Sequence, residues 1–248
     1  MAGQVISLAD RMKAYEGATG RVLVPRMPVI LRVDGKAFHT YTRGCERPFD
    51  LMFNMGMDQV ALDLVRLIQG AEMAYVQSDE VSVLINPYRR FVSQCWFNGK
   101  VQKMTSVSAA QAAVTMTMYS NRIFGGQTRP ALFDSRVFNV PAEDVPNYFV
   151  WRQNDAERNS VQMLARALFG HKAILSKGVR EMRKMCKEDG NAWEKQDQRA
   201  ISGGLVRKVD EEAQDPSGMP ITRSIWKVTP ARNLLWRDVV RPRLATDE

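Results

Sequence analysis

The stretch Pro28-Val-Ile-Leu-Arg-Val-Asp34, followed by Gly35-Lys-Ala-Phe-His39, decides how the rest of the chain is read. Its apolar run, bounded by Pro28 and Gly35, reads as a buried strand that ends in a carboxylate. Glycine directly after a strand permits a sharp change of backbone direction, so 35–39 reads as a turn. Further along, residues 50–69 carry helical apolar spacing, with Gly70 as a stop. Ala74-Tyr-Val-Gln77 and Val81-Ser-Val-Leu-Ile85 flank Ser78-Asp79-Glu80 and read as an antiparallel hairpin, Asp79 on or beside its turn. A strand ending in Asp34, a helix, and a hairpin bearing Asp79 would bring two carboxylates to one edge of a sheet.

Residues 99–119 read as a helix rich in alanine, and 132–140 as a strand ended by Pro141. A long helix is expected over 142–169. Val150, Val161, Leu164, Ala165 and Leu168 share its apolar side, and Arg152, Asp155, Asn159, Gln162 and Arg166 form a polar stripe. Glu157 falls inside the apolar side with no partner evident. Residues 176–187 read as a helix, 202–209 and 223–228 as a strand pair, and 210–219 as a polar loop. Trp96, Trp193 and Trp226 read as packing residues rather than base-stacking platforms.

Of 248 residues, 45% are hydrophobic and 25% charged, the balance of a globular chain able to build its own core. A formal net charge of +8 attracts polyanions, nucleic acid among them, though it also serves solubility. Cys45, Cys95 and Cys186 form no C-x-x-C pair, and His39 and His171 are the only histidines, which argues against a disulfide framework and against zinc. No secretion leader and no apolar run of membrane-spanning length is apparent, so a cytoplasmic protein is expected.

Two carboxylates at a sheet edge suit magnesium, which takes oxygen ligands and commonly completes its shell with phosphate oxygens. Paired ions of that kind activate an attacking hydroxyl and stabilise a leaving pyrophosphate. Backbone N–H groups of the turn from Gly35 to His39 could cradle a triphosphate. Each acid taken singly also reads as an ordinary turn residue.

Four ordered strings add specificity: Arg32-Val-Asp34-Gly35-Lys36-Ala-Phe38-His39, Tyr75-Val-Gln77-Ser78-Asp79-Glu80, Phe133-Asp134-Ser-Arg136-Val, and Trp151-Arg152-Gln153-Asn-Asp155. Together they resemble the tRNA-His guanylyltransferase family and its Thg1-like relatives, the 3′-to-5′ polymerases, over about residues 28–170. The resemblance implies an α+β fold, a polymerase- or cyclase-type palm with an antiparallel sheet flanked by helices. One catalytic domain is expected, with a palm core over about 25–170 and a helical and hairpin extension over about 171–248. It implies that Asp34 and Asp79 hold two Mg2+ ions with help from the Gly35 carbonyl. Gly35, Lys36, Ala37, Phe38 and His39 would lie against the nucleotide, and Ser78 and Glu80 would support the acidic hairpin.

By the same resemblance Arg47 matches a basic position linked to nucleotide activation, and also reads as a solvated loop arginine. Arg32, Lys100, Lys103, Arg136, Arg152, Asp155 and Asn159 would face phosphate or RNA; Lys100 and Lys103 also read as plain surface charges. The implied substrates are ATP, GTP or other nucleoside triphosphates and tRNA, and the implied assembly is a homotetramer.

Where the eukaryotic branch carries His-Ile-Asn-Asn, this chain has Glu157-Arg158-Asn159-Ser160, which looks more like bacterial, archaeal and phage members. That departure points to template-dependent repair of tRNA 5′ ends. Dedicated guanylate addition to tRNA-His, a palm-fold nucleotide cyclase needing no RNA, and a catalytically silent RNA-binding palm stand as alternatives. The Arg-Lys-Gly segment expected near Arg199 is absent, which leaves a late basic ligand unassigned.

Overall fold

The computed structural model describes residues 7–88, 90, 92–232 and 236–239. In chain order the elements are α1 (Leu8–Gly17), β1 (Val29–Gly35), α2 (Phe38–Tyr41), α3 (Leu51–Leu67), β2 (Ala71–Gln77), β3 (Glu80–Ile85), α4 (Val101–Ile123), β4 (Phe133–Asn139), α5 (Val145–Phe169), α6 (His171–Ile174), α7 (Val179–Glu188), α8 (Gln198–Ser202), β5 (Gly204–Gln214), β6 (Pro220–Pro230) and α9 (Trp236–Val239). The six strands make one antiparallel sheet in the order β4-β1-β3-β2-β5-β6.

Strand alternation sorts the two faces. Val29, Leu31, Val33, Val81, Val83, Ile85, Ala74 and Val76 are buried with Phe53, Met57, Val60 and Leu64 of α3 and Met104, Ala112 and Met116 of α4. Burying each such aliphatic side chain contributes about 1.5–3 kcal/mol, which fixes β1 and β3 in register. Ile30, Leu84, Met73 and Tyr75 turn the other way and pack against Tyr148 and Phe149 of α5 and Trp236 of α9. Asp50 caps α3, its Oδ1 accepting from Phe53 N–H at 2.8 Å. Gly56 lets α3 and α4 approach closely, since a Cβ there would sit 2.9 Å from the Tyr119 ring.

Three expectations from the sequence need correction. The first half of the polar segment 210–219 is strand: β5 and β6 pair from Gly204↔Pro230 to Gln214↔Pro220, and Asp215–Met219 turns. Asp215 Oδ1 accepts from Ser217 N–H and Met219 N–H, and Gly218 has φ +87°. Only 204–207 of β5 pair with β2, so the distal ribbon has solvent on both faces, and a solvated strand is polar without being a loop.

The second correction concerns the phase of α5. Val150 is 42% and Leu168 36% exposed, whereas Arg152 is buried, because Tyr148 and Phe149 occupy the inward positions and Glu80 neutralises the arginine. Glu157 is half-buried and meets Arg183 of α7 at 3.5 Å. Third, α7 begins at Val179 rather than 176. Trp96 and Trp193 are buried and Trp226 is partly buried against the core, as packing residues. Among the described residues no helix is long and apolar enough to cross a membrane.

Candidate active site

β1 delivers Asp34 and Gly35 to the same sheet edge that the β2–β3 turn reaches. Gln77 and Glu80 are paired, so Ser78-Asp79 is a two-residue hairpin loop, and Ser78 takes φ +45°, where glycine is the usual choice. Gly35 N–H donates to the Asp79 carbonyl at 3.0 Å, which ties the hairpin turn to the end of β1. The chain then turns through Ala37 at φ 57°, ψ 35°, a second left-handed non-glycine residue at this edge. Phe38 lies over Gly35: a Cβ on Gly35 would come within 2.4 Å of that ring. The ring is 4% exposed and packs on Tyr41 and Phe133, so Phe38 anchors the turn from inside.

These elements wall a cleft of about 760 Å³. Gly35, Ala37, Phe38, His39, Arg47, Ser78 and Asp79 line it, which gathers seven of the expected residues from three separate segments. Met163 and Arg166 of α5 close the opposite side. Neither was singled out as a site residue from sequence. The available signal was that Arg166 continues the helical stripe of Arg152, Asp155 and Asn159.

Behind the cleft, carboxylates form a row across the face that α5 covers. Asp34 stands opposite Asp134 of β4 on one side and opposite Glu80 of β3 on the other. The next row inward is basic, with Arg136 and Arg32 opposite one another. Glu80 is buried and accepts from Arg152 Nε at 2.8 Å and Nη2 at 3.0 Å, with Arg32 at 3.8 Å. Arg152 also donates to Asp155 at 2.9 Å, and Arg158 pairs with the same carboxylate. Asp134 pairs with Arg136 at 3.0 Å. Among the described residues Asp34 and Asp79 alone in this group have no ion-pair partner.

Burial pushes the Asp79 carboxyl above the ordinary carboxylate range, and the charges of Asp34 and Glu80 push the same way. Hydrogen bonds from its own backbone and from Ser78 oppose the shift. Uncompensated negative charge presented by oxygen donors is what a hard divalent cation neutralises. No group of three or more metal-ligating side chains occurs among the described residues. Asp79 and Gly35 line the cleft and Asp34 does not, so an ion at this edge would draw on two carboxylates and the Gly35 carbonyl and take its remaining ligands from water and phosphate.

The structure places other expected contacts elsewhere. Arg152 is 6% exposed and committed to Glu80, and Arg32 lies largely buried beside it, so neither presents a free guanidinium to phosphate. Asp155 serves the same network, and Glu80 supports the hairpin from behind without lining the cleft. Lys36 is exposed beside the cleft and donates its N–H to the Leu132 carbonyl. Asn159 lines a neighbouring cavity, and Arg136 sits on the edge strand with Asp134.

Lys100 and Lys103 lie at the start of α4, outside the cleft. Val101 N–H bonds to Arg21 and Val24 N–H to Asn139, at the end of β4 remote from Gly35. α4 draws level with the acids about 12 Å further on, where the Ser108 and Ser135 hydroxyls meet at 2.8 Å next to Asp134. Arg199, near which a late basic ligand was sought, bonds Asp58 of α3 at 2.8 Å.

The family model described as "Thg1: tRNAHis guanylyltransferase" matches residues 9–141, more than half of the chain. The chain belongs to the Thg1 family. A solved bacterial tRNA(His) guanylyltransferase (Thg1)-like protein in complex with ATP is 34% identical with a TM-score of 0.82, covering 94% of this chain and 96% of its own. The complex of such a bacterial protein with GTP aligns with 33% identity and a TM-score of 0.76, over the same shares of the two chains. The tRNA(His) guanylyltransferase of the yeast Debaryomyces hansenii is 32% identical over 146 residues, which are 56% of this chain and 53% of that enzyme. The chain thus spans about half the length of that yeast relative. By family it is a tRNA guanylyltransferase-like nucleotidyltransferase, and its α+β architecture is that of the Thg1-like structures.

Proposed function

We propose that this Thg1-family chain is a magnesium-dependent 3′-to-5′ nucleotidyltransferase, one cytoplasmic catalytic domain that adds nucleotides to the 5′ end of tRNA in template-dependent repair. The observation that carries the proposal is the charge balance at the sheet edge: among the described residues Asp134, Glu80 and Asp155 are each paired with an arginine, while Asp34 and Asp79 are left for a cation. Asp34, Asp79 and the Gly35 carbonyl would hold the ions, which would offset charge at the reacting phosphorus. ATP or GTP would lie along the turn from Gly35 to His39, as the bacterial Thg1-like protein's complexes with ATP and GTP support. Arg47 and Arg166 face the cleft with no carboxylate partner among the described residues and would bind phosphate oxygens from opposite sides.

In the reaction, the 3′-hydroxyl oxygen of the incoming nucleoside triphosphate attacks the activated 5′-phosphorus of the RNA. A new phosphodiester forms as AMP leaves from an adenylylated end or pyrophosphate from a 5′-triphosphate. The buried Arg152–Glu80 pair holds the base of the hairpin and so keeps Asp79 aimed at the cleft. Lys100 and Lys103 lie at the start of α4 outside the cleft and would face RNA phosphates away from the reacting end, in the same subunit or across a homotetramer.

Supplying 5′-truncated tRNAs that differ in the opposing base, with all four labelled triphosphates, tests the repair reading. Addition complementary to each template base is expected. Strict addition of a single G to tRNA-His alone would overturn repair in favour of dedicated maturation. Cyclic nucleotide formed without RNA would establish the cyclase instead.

A further inference from the structure

A second cavity, of about 400 Å³, lies between the C-terminal half of α5, α6 and the start of α7. It adjoins the Asp79 cleft, because Met163 and Arg166 line both. Its floor is apolar, made by the buried Met182 and the half-buried Ile174, with the exposed Met163 and Leu175 at its margin beside Asn159, Gln162 and His171. Among the described residues no carboxylate lines it. The cation Lys177 is already held by Glu181, whereas Arg166 has no acidic partner among the described residues. Gln162 and His171 are exposed and have no hydrogen-bond partner there.

An apolar floor rejects a bare phosphate, and an acid-free rim with a free guanidinium rejects a plain hydrocarbon. A planar base carrying a phosphate satisfies both, with the ring on thioether and aliphatic surface, its polar edge on amide and imidazole, and its phosphate on arginine. We propose that this cavity takes the 5′-terminal nucleotide of the RNA, its base on the floor and its 5′-phosphate directed past Arg166 into the Asp79 cleft. The proposal rests on the transfer reaction proposed above, in which the cleft itself holds the incoming triphosphate. A 5′-phosphorylated nucleoside is the shared chemistry; a free nucleotide is the other source of it.

The test uses a fluorescently labelled, 5′-monophosphorylated tRNA lacking its first nucleotide, with GTP and ATP binding measured separately. The variants are Gln162→Ala/His171→Ala and Ile174→Glu, none of which lines the Asp79 cleft. The exposed positions of Gln162 and His171 keep the fold intact, which thermal melting verifies. Losing two hydrogen bonds of ordinary strength weakens RNA binding about tenfold, while GTP and ATP affinity stay unchanged. The carboxylate of Ile174→Glu weakens RNA binding too, by repelling its phosphate. RNA affinity within twofold of wild type in both variants overturns the proposal, and so does an equal loss of GTP or ATP affinity, which gives the cavity to a free nucleotide. Because the RNA-binding measurement needs no turnover, it decides the cavity even if wild type makes no extended RNA, an outcome that sinks the transfer reading alone.

Discussion

Replacing Arg152 with methionine tests how the acid edge is held together. Arg152 and Glu80 are 6% and 7% exposed, and the pair is bidentate at 2.8 and 3.0 Å. Methionine fills much of the space but leaves Glu80 buried, with only Arg32 at 3.8 Å to balance it. Breaking one partner of a buried pair costs about 3–5 kcal/mol. At roughly 2–4 °C per kcal/mol for a chain of this size, the melting temperature should fall by roughly 6–20 °C.

The loss should depend on pH. Burial already raises the Glu80 carboxyl and Arg152 opposes that shift, so removing the arginine raises it further. A group whose folded pKa lies above its unfolded value adds stability as pH falls through the folded value. The variant should therefore lose less at pH 5 than at pH 8, by urea denaturation at both. Glu80→Gln/Arg152→Met should recover part of the loss at pH 8. A pH-independent change below 1 kcal/mol would refute the argument that this pair holds the hairpin.

Asp79→Asn should abolish nucleotide addition yet raise the melting temperature without divalent cation, since it removes a half-buried charge near Asp34 and Glu80; an unchanged or lower melting temperature counts against that balance. Gly35→Ala should cost about 1–3 kcal/mol by pressing on the Phe38 ring, and Phe38→Leu in the same chain should relieve part of it, read by urea denaturation. Cys45, raised to about 11 from 9.0 by burial and by Asp50, should react with iodoacetamide at pH 8 about a hundredfold more slowly than an unperturbed thiol; labelling at the unperturbed rate contradicts that environment.

The meeting of the β1 end with the β2–β3 turn was legible in the sequence because its signals are local. A strand that ends in Asp34-Gly35 and a two-residue turn at Ser78-Asp79 are written in adjacent residues. Arg152 was not legible. Its stripe looks solvated, and the partner that makes its burial possible, Glu80, lies 72 residues away in sequence. The same holds for Glu157 with Arg183 and Arg199 with Asp58, pairs made only by the packing of α7 and α8. The outer part of the β5–β6 ribbon, beyond the strand pair read at 202–209 and 223–228, was hidden for a different reason. Strand periodicity is read against a buried face, and beyond Arg207 that ribbon pairs with no third strand.

The central claim is that Asp34 and Asp79 recruit a divalent ion for transfer. It is tested most directly by incubating wild type and Asp79→Ala with labelled triphosphates and 5′-truncated tRNA across a magnesium titration. Wild type should yield 5′-extended RNA that rises with magnesium and vanishes on chelation, and Asp79→Ala should yield none. Equal product from the variant, or product that persists in chelator, would contradict it.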